Sequence, residues 1–165
     1  MKKIVYHSLE AYYNVNSKIL ILGSLPSIKS RELGFYYMNP QNRFWKILEF
    51  VFNEKIGNSI EDKKLFLFKH KIALWDIIES CEIFGSSDSS IKNVKVNNIN
   101  SVIKNSDIKY IFTTGKKAYE LYNKNCLKDT NIEAIYLYSP SPANCAISFE
   151  RIVDNYKVIN TEKTL

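Results

Sequence analysis

A three-layer α/β/α sandwich around a central four-stranded parallel sheet is the fold this chain predicts. Three observations carry that expectation. Short apolar runs recur at residues 19–22, 72–75, 110–112 and 134–137, and the first has no polar residue on either face, as in a strand buried in a parallel sheet. Segments with helical spacing separate these runs, the alternation that places helices on both faces of one sheet. Glycine- or proline-bearing turns follow the first, third and fourth runs. No repeat or linker divides the 165 residues, so one domain spanning 1–165 is expected.

Taken in order, the first strand ends in Gly23, Ser24, Leu25, Pro26 and Ser27. Glycine and proline there force a tight exit at the carboxyl edge of the sheet, where open α/β folds hold their ligands. Residues 41–53 carry apolar side chains at 44, 45, 47, 48, 51 and 52, the spacing of a helix with a wide buried face. Ser59 with Asp62 resembles a loose capping box opening a second helix through Lys69. The second strand, 72–75, ends at Asp76. Residues 86–98 are polar and predict a surface loop, with a helix starting near Asn97. The third strand runs into Thr113, Thr114 and Gly115 and then a helix. The fourth is broken by Ser139, Pro140, Ser141 and Pro142, and a last helix is expected from near Asn144 to about Val158.

Composition narrows the function. A hydrophobic share of 45% excludes a disordered or low-complexity chain. The net charge of +6 fits a polyanionic partner, although a lysine-rich composition has the same effect without one. The N-terminus is basic but never continuously apolar, so it is a poor signal peptide, and no window approaches the ~18 apolar residues of a membrane helix. A cytoplasmic protein without membrane association is expected. Cys81, Cys126 and Cys145 form no CxxC pair, which argues against a disulfide framework, a zinc site or an iron–sulfur cluster. His7 and His70 lie far apart and outside every motif, and neither is expected to be catalytic.

The chemistry-bearing patterns are mostly absent. The chain has neither GxxxxGK[ST] nor GxGxxG, which disfavours nucleotide cofactors. It has no GxSxG elbow and no cysteine beside a plausible base, so acyl transfer has little support. Metal hydrolysis needs clustered ligands, and only Asp76 sits at a strand end. Serine, threonine, asparagine and aromatic rings are what the strand ends do offer. Such a pocket stacks on a planar ring and reads its edge by hydrogen bonds.

The segments ILGSLPS…FYYMNPQNRFW and YSPSPAN resemble the two signature motifs of the uracil-DNA glycosylase superfamily. The likeness is nearest to its hypoxanthine-DNA (deoxyinosine) glycosylase branch. That branch has a Gly-Ser-hydrophobic-Pro turn, a Tyr-Tyr before His-Pro-x-Asn-x-Phe-Trp, and a late Ser-Pro-Ala-Asn. Similarity continues through 72–93 and 111–122, so it covers most of the chain in order. The resemblance implies a uracil-DNA glycosylase-like fold and a cofactor-free monomer acting on double- or single-stranded DNA. Such an enzyme flips out a deaminated base, hypoxanthine first, hydrolyses its N-glycosidic bond and leaves an abasic site, acting at the nucleoid within the cytoplasm. It further implies that Asn42 positions or polarises the water and that Tyr37 stacks on the base. Gly23, Ser24, Leu25, Pro26 and Asn39 would line the base pocket, and Asp76 would read the base edge. Ser139, Pro140, Ser141, Pro142, Ala143 and Asn144 would grip the DNA backbone, the last two leading into a helix whose free N–H groups favour an anion. Lys116 and Lys117 would contact phosphates.

Each residue also has a plainer reading. Asn42 taken alone is a helix cap, Asp76 an acceptor for loop amides, and residues 139–142 an ordinary turn. Tyr36, Tyr37, Phe44 and Trp45 fit a core, and Lys116 and Lys117 a solvated surface. Three departures stand out: Asn39 where the family has His, Ser27 where Gly is usual, and Thr114 where Asn is expected. The acidic residue that the most active uracil glycosylases carry in the first motif is absent, which predicts slow turnover. The rival functions are a uracil- or mismatch-specific glycosylase of the same fold and a non-catalytic nucleic-acid-binding module.

Overall fold

The computed structural model describes residues 2–85 and 88–160, so Ser86 and Ser87 of the expected surface loop lie outside the described residues. In chain order the elements are β1 (Lys2–Tyr6), β2 (Ile19–Gly23), α1 (Ile28–Leu33), α2 (Phe44–Phe52), α3 (Ile60–His70), β3 (Ile72–Asp76), β4 (Ile78–Phe84), β5 (Lys92–Val96), α4 (Ile99–Lys104), β6 (Tyr110–Thr114), α5 (Lys116–Asn125), α6 (Leu127–Thr130), β7 (Ala134–Leu137) and α7 (Phe149–Tyr156). β3, β2, β6 and β7 lie side by side in that order as a four-stranded parallel sheet, as the apolar runs predict. Every residue of β2 is buried. Successive side chains on a strand point to opposite faces. Leu20, Leu22, Ala73 and Ile111 therefore pack with Ala118, Leu121 and Tyr122 on one face. Ile19, Ile21, Leu74 and Phe112 pack with Phe44, Leu48, Phe66 and Tyr156 on the other. Helices α2, α3 and α7 cover one side and α4 to α6 the other.

The capping box at Ser59 and Asp62 forms with both of its hydrogen bonds, and the helix expected near Asn97 starts after Asn98, whose Oδ1 accepts from Ser101 N–H. Four features depart from expectation. A second, antiparallel sheet, β1-β4-β5, adjoins the first. Its strand β5 falls within the stretch read as loop, because the exposed Lys92, Asn93 and Lys95 hide a strand that pairs only with β4. Helix α1 fills the turn after Pro26: Ser27 Oγ accepts from Ser30 N–H, and Gly34 at φ +80° ends the helix. The helix expected from residue 41 starts at Phe44. The last helix starts at Phe149, not near Asn144, because its cap is Ser148, whose Oγ accepts from Arg151 N–H.

The antiparallel sheet grows directly out of the parallel one. Ile77 and Ile78 N–H donate to the carbonyls of Gly23 and Ser24, so β3 passes into β4 without leaving the edge of β2. β1 returns antiparallel along β4 and ends with Tyr6 opposite Ser80. The chain then crosses the free side of β3, where Tyr12 pairs with Leu74. This path delivers residue 7 to the end of β3.

Candidate active site at the carboxyl edge of the sheet

The carboxyl ends of β2, β3 and β6 open into a cleft of about 1310 Å³. Every site residue expected from the sequence lines it except Asn144. Its floor is built around Gly23. A Cβ at that position would lie 2.5 Å from Asp76 Oδ1, 3.2 Å from the Tyr37 hydroxyl and 3.5 Å from Thr114 Oγ1. Only hydrogen leaves room for these three polar tips to converge. The Tyr37 hydroxyl in turn lies 3.3 Å from Thr114 Oγ1. Gly23 and Ser24 use their carbonyls on the β3–β4 junction, while among the described residues Ser24 and Leu25 donate no backbone hydrogen bond, leaving two donors at the cleft.

Tyr37 holds a left-handed backbone at φ 54°, uncommon for an aromatic residue. Its ring stacks on Phe44 at 3.8 Å between centroids and 13° between planes. Burial, and secondarily the Asp76 carboxylate, push the Tyr37 hydroxyl well above its ordinary pKa, the Thr114 contact opposing. Tyr36 is raised in the same way, by burial first. Both phenols therefore stay protonated as donors, Tyr36 to Glu10 O at 2.8 Å. Phe44 and Trp45 are core residues.

Asp76 is 3% exposed. Its Oδ2 lies 2.8 Å from His7 Nε2, and both side chains are almost wholly enclosed. Sequence reading missed this partner, since a lone histidine 69 positions away carries no local signal. Asn39 and Asn42 form a tight turn: Asn39 Oδ1 accepts from Gln41 N–H and its carbonyl from Asn42 N–H. Asn42 Oδ1 accepts from Phe44 N–H at 2.9 Å, so it does cap α2 from one position before the formal cap, Arg43. Its amide N–H group remains for the cleft.

The loop 139–147 forms the opposite wall. Ser139 Oγ accepts from Ser141 N–H and Ser141 Oγ from Ala143 N–H, so each hydroxyl serves the loop and keeps its own proton to donate. Asn144 turns inward, donating from Nδ2 to Ser139 O, which accounts for its absence from the cleft wall. The anion site expected at a helix start there does not form, because α7 begins five residues later. What fastens this loop is Arg43. Its guanidinium donates to the carbonyls of Ile147 at 3.0 Å, Asn144 at 2.8 Å and Ser141 at 3.4 Å, and its backbone N–H to Pro140 O at 3.1 Å. The two motifs are thus joined by a residue of the first that the sequence reading left without a role.

Lys116 and Lys117 open α5 at the cleft rim. Lys116 is exposed and lies 3.9 Å from Glu120, a weak surface pair. Gly115, at φ +87° and with Ser139 Cβ 3.2 Å from where its own Cβ would stand, lets this helix start against the second loop. Lys3 of β1 adds a cation from the antiparallel sheet. Among the described residues no group of three His, Cys, Asp or Glu is placed to hold a metal ion. Among the described residues Cys81, Cys126 and Cys145 form no disulfide.

Comparison with known proteins agrees with this geometry. Residues 10–155 match the family described as the uracil DNA glycosylase superfamily. A protein of Methanosarcina acetivorans named hypoxanthine DNA glycosylase is 33% identical over 150 residues, covering 90% of this chain and 94% of its own. One of Methanosarcina barkeri with the same name is 33% identical over 132 residues, 78% of this chain and 82% of its own. A solution NMR structure from M. acetivorans, of a candidate uracil DNA glycosylase, superposes with a TM-score of 0.78 at 30% identity. It covers 96% of this chain and 100% of the other.

Proposed function

Because the chain belongs to the uracil DNA glycosylase superfamily, we propose that it is a monofunctional DNA-repair glycosylase that releases hypoxanthine from DNA. One observation carries this reading: a single cleft gathers an aromatic platform, a buried carboxylate, an asparagine amide and a serine–proline loop at one sheet edge. An extruded purine stacks on the face of Tyr37 that Phe44 does not cover. Extrusion costs a few kcal/mol, least for a weakly paired base, which favours the deaminated one. Deamination of adenine turns the N1 acceptor into an N1–H donor and the amino group into a carbonyl. Asp76 Oδ1 accepts from that N1–H, and the unused N–H groups of Ser24 and Leu25 donate to the carbonyl and ring.

Bond breakage then passes through an oxocarbenium-like sugar. Donors fixed beforehand around the departing base stabilise its negative charge. Asn42 holds the water that attacks the anomeric carbon from the far side. A neutral amide polarises water weakly, which fits slow turnover. The loop 139–143 and Lys116 and Lys117 grip the phosphates on either side, serine hydroxyls and ammonium groups supplying the contacts. The protein acts as a monomer in the cytoplasm, and duplex DNA is its substrate.

Uracil offers the same N–H beside a carbonyl, and the M. acetivorans structure bears that description. Strand breakage after alkali, on duplexes with one deoxyinosine, uracil or xanthine opposite each base, separates the readings. Cleavage at deoxyinosine, lost in Asn42→Ala, is expected. Binding without cleavage of any lesion would overturn enzymatic activity, and faster cleavage at uracil would move the substrate assignment.

A further inference from the structure

Asp76 does not stand alone, and what holds it lies outside the family-matched span of residues 10–155. β1 ends at Tyr6, and His7 continues the ladder by donating its N–H to Glu79 O at 2.7 Å. The imidazole is thereby fixed beneath the end of β3, its side chain 2% exposed. Leu9 N–H lies 3.2 Å from Nδ1. A backbone N–H can only donate, so Nδ1 is the acceptor nitrogen and Nε2 carries the proton. Nε2–H then donates to Asp76 Oδ2 at 2.8 Å. One carboxylate oxygen is committed, and the other, Oδ1, lies over Gly23.

We propose that His7 is a positioning residue for base recognition: by donating to Oδ2 it presents Oδ1 as a fixed acceptor for the lactam N–H of a deaminated base. The inference rests on the glycosylase reading above. A proton acceptor at this point matches N1–H of hypoxanthine and opposes the N1 lone pair of adenine. The orientation matters because a carboxylate free to turn away would hold no acceptor at that point. Two donors in sequence, Leu9 N–H to Nδ1 and Nε2–H to Oδ2, fix that orientation. Tyr36, at 6.4 Å between ring centroids, closes the side of the imidazole.

Single-turnover excision on the full-length protein tests this, using duplexes with deoxyinosine, 1-methyldeoxyinosine or deoxyadenosine. The wild type is expected to release hypoxanthine and to spare both bases that lack N1–H. His7→Leu keeps the bulk and removes the donor, and its excision of hypoxanthine should fall roughly tenfold or more, the worth of one hydrogen bond to a buried charge. His7→Gln, which retains an amide donor, should recover part of that loss. A His7→Leu protein that folds and excises hypoxanthine at the wild-type rate would overturn the role of His7 alone. Wild type that releases no base from any duplex would overturn the glycosylase reading and this inference with it. Nitrogen-15 spectra of the wild-type imidazole give a measurement independent of any variant. They should show a protonated Nε2 and an unprotonated Nδ1 at neutral pH, and the reverse tautomer would refute the proposal.

Discussion

Replacing Arg43 by alanine should loosen the second motif while leaving the parallel core intact. The guanidinium spans three carbonyls of one loop, at 2.8, 3.0 and 3.4 Å. The two shorter bonds carry most of the energy, each about 1.5–3 kcal/mol for a charged donor. Water reaches part of this half-buried site after truncation, so roughly 3 kcal/mol is the expected loss. Urea unfolding measures it globally. Native-state hydrogen exchange locates it: Asn144 N–H, bonded to Ser141 O at 3.0 Å, should exchange roughly a hundredfold faster if the loss is confined to the loop. Arg43→Lys retains the charge but one nitrogen cannot span three carbonyls, so it should recover less than half of the stability. Excision should weaken mainly through DNA affinity, with the rate at saturating enzyme changing less. A stability change under about 0.5 kcal/mol with unaltered exchange at Asn144 would refute the reasoning.

Gly23→Ala should cost about 1–3 kcal/mol and abolish base excision, because its methyl would stand 2.5 Å from a carboxylate oxygen that His7 holds in place; thermal melting and the alkali assay check both. Asn42→Ala should lose the α2 cap, about 1 kcal/mol, whereas Asn42→Asp keeps an acceptor for Phe44 N–H and its stability; both should lose excision, and a fully active Asn42→Asp would remove the amide from the mechanism. Maleimide should label exposed Cys145 quickly and Cys126 very slowly at neutral pH, since burial and then Asp129 push the Cys126 thiol up to about 11. The same shift carries a sign for stability: the unfolded thiol ionises near 9.0 and the folded one near 11, so its contribution is complete below 9.0 and declines as pH rises toward 11, which chemical denaturation across that window will show.

The parallel sheet was legible because its strands are apolar on both faces, a pattern few other structures require. The antiparallel sheet was not, since β1 and β5 bury little and their lysines resemble a solvated loop. Helix α1 is only six residues long, too short for periodicity to show, yet it explains Ser27: the residue that departs from the family spelling caps that helix. The start of α7 was misplaced because Asn144 and Ser148 both have capping chemistry, and Asn144 is taken up by Ser139 instead. For the site, motif spelling found the residues on the cleft wall but not the ones that hold them. Arg43 and His7 act through contacts about a hundred and about seventy positions away, which no local pattern records.

The long reach between β1 and β4 also orders the birth of the molecule. Lys2 must wait for Phe84, and His7 for Asp76, before either finds its partner. A chain emerging from the ribosome therefore carries its first strand unpaired while β2, α2 and α3 are being made, with the exposed Ile4 and Tyr6 open to other contacts. Closing so long a loop is slow but adds little to its thermodynamic cost, since that cost grows only with the logarithm of length. The carboxylate under the cleft thus meets its histidine only near the middle of synthesis, and the cleft wall at 139–143 is made later still.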